Sequence, residues 1–143
     1  MTGKLPAHPP APHVDPDALL CALIVAPTTY SRNRFFSLFE QPEARRIRRR
    51  AARVRSVIRQ LLGQHRERAE ITGEAVLADG RVLLRYRIGE LALKRTTSLS
   101  MLEAAALHYA LHRAGAGSLS DEERAAVESA LTRLSTGLGL PPR

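Results

Sequence analysis

The feature that most limits the folds open to this chain is a change of hydrophobic period near residue 70. Over "EITGEAVLADGRVLLRYRIGELALKR" (70–95) apolar and polar residues alternate, whereas the flanking segments repeat every three to four residues. Alternation marks a half-buried strand, because successive side chains leave a strand on opposite faces. Asp79-Gly80 lies inside this stretch, and both residue types tolerate the positive φ that a two-residue type I′ turn demands. Such a turn pairs Leu77 with Val82, Ala75 with Leu84, Gly73 with Tyr86 and Ile71 with Ile88, all on one core-facing side. On the other side it sets Glu74 against Arg85, a favourable cross-strand pair. A second tight turn at Gly89-Glu90 returns Leu91 and Leu93 to the apolar face. Pattern and turn chemistry together predict a three-stranded antiparallel meander.

Helical signals bracket the meander. Asp15-Pro16 reads as an N-cap followed by proline at the first helical position, and Val14 and Leu19 are spaced as a hydrophobic staple. That predicts a helix over 16–26, closed by Pro27. Ser31 can cap a short second helix ending near Glu40. Pro42 suits the start of a third, with Glu43 near its positive end and Gly63 as its stop. Two further helices follow the strands. Each opens on a capping box, Ser100 with Glu103 and Ser120 with Glu123, and ends at a glycine, Gly115 and Gly137. The predicted class is α+β: three N-terminal helices, a three-stranded antiparallel meander and two C-terminal helices. A chain of 143 residues can bury one core of this kind, so residues 16–137 are expected to be a single domain. Five of the nine prolines fall in "MTGKLPAHPPAPHVDP", which makes residues 1–15 a disordered tail, with 138–143 a flexible C-terminal one.

The net charge of +8 favours polyanionic partners. The apolar run "ALLCALIVA" (18–26) is too short to span a bilayer, which takes about 20 residues. Asp15 and Asp17 precede it where a secretory signal carries positive charge, and Pro27 follows it directly. A lone cysteine, Cys21, sits within that run and permits no disulfide inside the chain. These features predict a cytoplasmic protein with no membrane partner.

Charge is concentrated in "PEARRIRRRAARVRSVIRQLLG" (42–63), where eight arginines and no acid lie between Arg45 and Arg59. On a helical wheel Ile47, Ala51, Val54, Ile58 and Leu61 form an apolar stripe flanked by Ala44, Val57 and Leu62. Arg45, Arg48, Arg49, Arg53, Arg55 and Arg59 spread over the remaining surface with Arg46 near its edge, while Arg50 falls at the stripe's margin, stem packed and head in water. Exposed helices ordinarily mix signs, because acid–base pairs four apart stabilise and like charges do the reverse. A helix this one-sided calls for an external anion. Arginine meets phosphate with bidentate hydrogen bonds, and six to eight phosphates would give a log–log salt slope of roughly −5 to −7. Arg32 and Arg34 before the helix, and Arg85, Arg87 and Lys94 on the sheet face away from the core, extend the candidate set. In element order the chain resembles winged helix-turn-helix architecture, in which the helix after the turn enters the major groove and a hairpin touches the flanking backbone. The expected function is non-catalytic nucleic-acid binding, DNA ahead of RNA, in a small transcriptional or chromosome-associated regulator. An adaptor docking an acidic protein through the same face is the alternative.

Other constellations carry less. Tyr30, Phe35, Phe36 and Phe39 beside Arg32 and Arg34 could stack single-stranded bases, yet Phe35, Leu38 and Phe39 have core spacing. His108 and His112 have the spacing of a two-histidine metal site, but Tyr109 stands where a metalloprotease has its glutamate, and no third ligand is spaced to join them. No metal, cofactor or catalytic residue is expected. The segment "SMLEAAALHYALHRAG" is apolar around most of its circumference, which suits either burial under several elements or a homodimer contact.

Overall fold

The computed structural model describes residues 14–28, 41–63, 69–89 and 91–138. Among them the order is α1 (Pro16–Val25), α2 (Gln41–Leu61), β1 (Ala69–Val76), β2 (Val82–Ile88), β3 (Leu93–Leu99), α3 (Met101–Arg113) and α4 (Asp121–Leu138). The class is α+β: four helices with one antiparallel sheet in the order β1-β2-β3. The helix expected over Ser31–Glu40, together with Arg32, Arg34 and the Tyr30–Phe39 aromatics, lies outside the described residues.

Helix α1 is the hub. Its start is set locally: Asp15 Oδ1 accepts from the Asp17 N–H at 2.9 Å, and Pro16 fills a position that needs no donor. Every residue from Ala18 to Ile24 is buried, because α2, α3 and α4 all pack against this helix. Burial pushes the Cys21 thiol up to about 12, with Arg133 pulling weakly the other way, so it is a core residue and not a nucleophile. Ala104, Ala105, Ala106, Leu107 and Leu111 of α3 are likewise buried within the chain, against α1, α2, α4 and the end of β3, while Met101 at its start stays exposed. Both predicted capping boxes form, with Glu103 N–H donating to Ser100 Oγ and Glu123 N–H to Ser120 Oγ, each at 3.1 Å. Gly137 does not end α4, which continues to Leu138. A helical glycine costs only about 1 kcal/mol relative to alanine, too little to stop a helix that buries Leu134 and Ser135 in the same turn.

The sheet corrects the predicted register. Leu77 N–H donates to Arg81 O at 2.7 Å and Gly80 N–H to Leu77 O at 2.9 Å, so the loop has three residues, Ala78-Asp79-Gly80. Gly80 alone takes a positive φ, +85°, while the Asp79 carboxylate accepts from the Arg81 N–H at 3.0 Å. This is a type I turn closed by a left-handed glycine, which an Asp-Gly pair serves as well as it serves type I′. The partners become Val76–Val82, Ala75–Leu83, Glu74–Leu84 and Gly73–Arg85. A bulge at Thr72 then steps the register again and sets Ile71 opposite Tyr86. Ala75 and Gly73 therefore fall on the outer side, and Glu74 points toward the helices instead of meeting Arg85. The second turn is also longer than expected. Residues 89–92 separate Ile88 from Leu93, with Ala92 N–H donating to Gly89 O at 3.0 Å. Leu91 is left in water, 85% exposed, and Leu93 keeps the inner side but is only half covered. The core face of the sheet is built from Val82, Leu84, Tyr86, Ile88 and Leu99.

Candidate functional site

The basic helix is amphipathic as its spacing requires. Ala44, Ile47, Ala51, Val54, Val57 and Ile58 are buried at steps of three and four, and this stripe docks α2 on α1. Anchoring one side fixes where each arginine points. Arg45, Arg46, Arg49, Arg53 and Arg59 are exposed; Arg48, Arg50 and Arg55 are half-buried along the seams with neighbouring elements.

The seam arginines have internal partners that composition does not reveal. Glu103, fully buried at the start of α3, accepts from Arg50 Nε at 3.4 Å and from Arg53 Nη2 at 3.3 Å. The same carboxylate closes the α3 capping box by accepting from the Ser100 N–H at 2.7 Å. Three N–H donors, two of them from guanidinium groups, thus converge on one buried carboxylate, so its oxygens are not left without partners away from water. Arg50 also brings Nη1 to 4.0 Å from Asp17, so its head is held by carboxylates and does not simply reach water as the wheel suggested. On the opposite seam Arg55 Nη1 donates to Leu23 O at 3.2 Å. That carbonyl lies in the last turn of α1, where the helix has unpaired acceptors and no basic residue of its own. Arg55 is thus a cap supplied from another helix.

What remains for an external ligand is a smaller set. Arg45, Arg46, Arg49 and Arg59 are exposed and make no ion pair among the described residues. Arg45, Arg49, Ala52, Ser56 and Arg59 follow one another at steps of four and three, forming the ridge opposite the buried stripe. Arg45 and Arg49 stand in the first half of that ridge, while Arg46 lies off it, about 100° round the helix from Arg45. Arg59 stands apart by about 15 Å along the axis, at 1.5 Å per residue. Ala52 and Ser56 leave the ridge low between them.

The outer sheet face holds Arg85, Arg87 and Lys94 as predicted, with Lys94 directly opposite Arg87 and Thr96 opposite Arg85. Arg87 is neutralised by Glu70 across the strand pair. Arg81 is turned onto Ser98, donating through Nε to Oγ at 2.8 Å and through Nη2 to O at 3.0 Å. Arg85 and Lys94 are the exposed cations of this face without an ion pair among the described residues.

The two histidines do not converge. His112 Nδ1 lies 3.3 Å from Gly117 O, whereas His108 Nε2 meets the Glu74 carboxylate and stands 4.0 Å from Glu123 Oε2. Among the described residues no group of three or more His, Cys, Asp or Glu could hold a metal ion, and no helix is long and apolar enough to cross a membrane. Sequence reasoning found the arginines but missed Glu103, Asp17 and the Leu23 carbonyl as their partners. The one available signal was an acid at the third position of an otherwise apolar helix, and its capping role accounted for it fully. No known protein family, no characterised protein and no solved structure matches this chain.

Proposed function

We propose that this protein binds nucleic acid, DNA ahead of RNA, through phosphate contacts from Arg45, Arg46, Arg49 and Arg59, and that it acts by binding and not by turnover, as a small regulator would. The observation that supports the reading is the set of unpaired cations: the ridge arginines Arg45, Arg49 and Arg59, with Arg46 beside them, stand in solvent on a helix whose opposite side is anchored. Anchoring matters because a phosphate contact from a rigid support loses less side-chain and backbone freedom on binding. Arginine in place of lysine adds a planar fork that fits phosphate oxygens. Arg53, shared with Glu103, and the sheet cations Arg85 and Lys94 stand at the margins. Arg48 and Arg55 belong to the helix seams.

The pairing of Arg50, Arg53 and Arg55 within the fold lowers the expected number of phosphates. Four contacts give a log–log salt slope of about −3.6 on duplex DNA, shallower than the count of arginines suggests. A ridge of this kind reads backbone, since base readout needs a few side chains aimed at base edges. Fluorescence anisotropy with random-sequence duplex DNA, single-stranded DNA and RNA at about 50 mM salt tests the reading. Saturable binding with a slope near −3.6 is expected. If micromolar protein leaves all three free, the ridge is not a nucleic-acid surface, and docking of an acidic protein becomes the reading to pursue.

A further inference from the structure

A groove of about 700 Å³ opens where the last residues of β1 meet α3 and α4. Its origin is the register described above: the shorter reach of β1 turns Glu74 and Val76 to the helix-facing side, opposite Leu84 and Val82. The wall is apolar, formed by Val76, Val82, Met101, Leu102 and Ala105. Val76 and Met101 leave 68% and 56% of their surface in water, although both face this space. The rim has the opposite character to the rest of the chain. Asp17, Glu74, Glu122 and Glu123 line it with Arg133, which is already bonded to Asp15 at 2.9 Å; Asp17 also stands 4.0 Å from Arg50 Nη1. His108 sits between Glu74 and Glu123. Glu122 is exposed and makes no ion pair among the described residues. In a protein of net charge +8, this is where carboxylates collect.

We infer that the groove binds a small organic cation, a protonated amine or amidinium carried on an apolar body of about one ring. The volume lies within the roughly 300–1,000 Å³ usual for small-molecule sites. An apolar wall lowers the local dielectric, which strengthens the attraction of the rim carboxylates for a positive head and excludes anions such as nucleotides. The inference does not depend on α2: none of Arg45, Arg46, Arg49 and Arg59 lines the groove.

The test uses the full chain with isotope-labelled methionine methyls. Only two methionines are present, so Met101 reports on the groove while Met1 serves as an internal control. The probes are 2-phenylethylamine, its neutral analogue 2-phenylethanol and the anion phenylacetate. The amine should shift the Met101 methyl saturably with a Kd of about 1 mM or tighter, and the two analogues should bind at least roughly tenfold more weakly. Glu122→Gln with Glu123→Gln should weaken the amine by about tenfold without altering nucleic-acid affinity. Ala126→Arg, which places a cation in the groove from an exposed position of α4, should abolish the shift. Equal binding of amine and alcohol, or no saturation by the amine, overturns the proposal. So does a Met101 signal that moves with protein concentration, or on removal of residues 1–13, in place of responding to the amine. Those results would assign the groove to a second copy or to the chain's own N-terminus.

Discussion

The two cationic surfaces of this molecule are built on different principles. On the outer face of the sheet, charge is partly tied within the fold: Glu70 neutralises Arg87 and Arg81 is hydrogen-bonded to Ser98, while Arg85 and Lys94 make no ion pair among the described residues. On α2 the division runs along the helix circumference. Arginines on the seams are tied to Glu103, Asp17 and the α1 carbonyl end, while those on the ridge have no internal acid. A count of arginines therefore does not describe either surface. What distinguishes them is where a neighbouring element brings a carboxylate within reach: Glu70 takes one of the sheet cations, whereas no acid reaches the α2 ridge among the described residues.

The largest expected effect sets the surfaces against each other directly. Each phosphate contact contributes about 0.9 decades of affinity at 0.1 M salt, from the counterion-release slope. Replacing Arg45, Arg46 and Arg49 together with alanine should weaken duplex binding about 500-fold and flatten the salt slope by about 2.7. Arg85→Ala with Lys94→Ala should cost less than about tenfold, a single contact's worth. Anisotropy titrations at several salt concentrations measure both. Comparable losses from the two sets would erase the distinction between ridge and sheet.

Next is the clasp. Glu103→Gln keeps an acceptor for the Ser100 N–H but removes the charge facing Arg50 and Arg53. Breaking a buried pair costs about 3–5 kcal/mol, and the lower end applies here because both guanidinium groups can turn to water. The urea midpoint should fall accordingly. Duplex affinity should rise by up to about tenfold at 0.1 M salt, since a freed guanidinium adds a contact to the ridge. Loss of stability with no gain in affinity would place Arg50 and Arg53 out of reach of the ligand.

These two experiments separate what the sequence shows from what it conceals. Elements governed by near neighbours were legible: the Asp15-Pro16 start, both capping boxes, the buried stripe of α2 and the solvent side carrying Arg45 and Arg49 all depend on residues within one or two turns. The hairpin was legible as a hairpin but not in register, because Asp79-Gly80 satisfies a two-residue and a three-residue loop equally, and one residue of slip moves Glu74 from Arg85 to His108. Glu103 was legible as a cap and opaque as a counter-ion, since Arg50 lies 53 residues away and no local pattern encodes that meeting.

The register itself has a sharp test of intermediate size. In the observed loop Gly80 holds φ +85° with open space around it, so Gly80→Ala pays only the left-handed backbone penalty, about 1–2 kcal/mol. Asp79→Gly is the more discriminating change. Asp79 has a negative φ and its carboxylate accepts the Arg81 N–H, so the substitution should destabilise by about 1 kcal/mol. In a type I′ turn Asp79 would have a positive φ and glycine would be neutral or stabilising. Chemical denaturation of the two variants decides between the loops. A stabilising Asp79→Gly would return Glu74 to Arg85 and add a second neutralised cation to the sheet.

The smallest effect probes the sheet's own pair. Glu70 and Arg87 are both well exposed, with side chains 67% and 45% accessible, and an ion pair of that kind contributes about 0–1 kcal/mol. Glu70→Gln should therefore leave the urea midpoint almost unchanged. Its value lies in what it does to binding, because it unmasks Arg87 beside Lys94 without touching the fold. If the sheet stands outside the interface, duplex affinity and salt slope stay at their wild-type values. If the sheet contributes, the slope steepens by up to about 0.9, one further phosphate. That increment would show that Glu70 is all that holds this face apart from the ridge, and that the two surfaces differ in degree and not in kind.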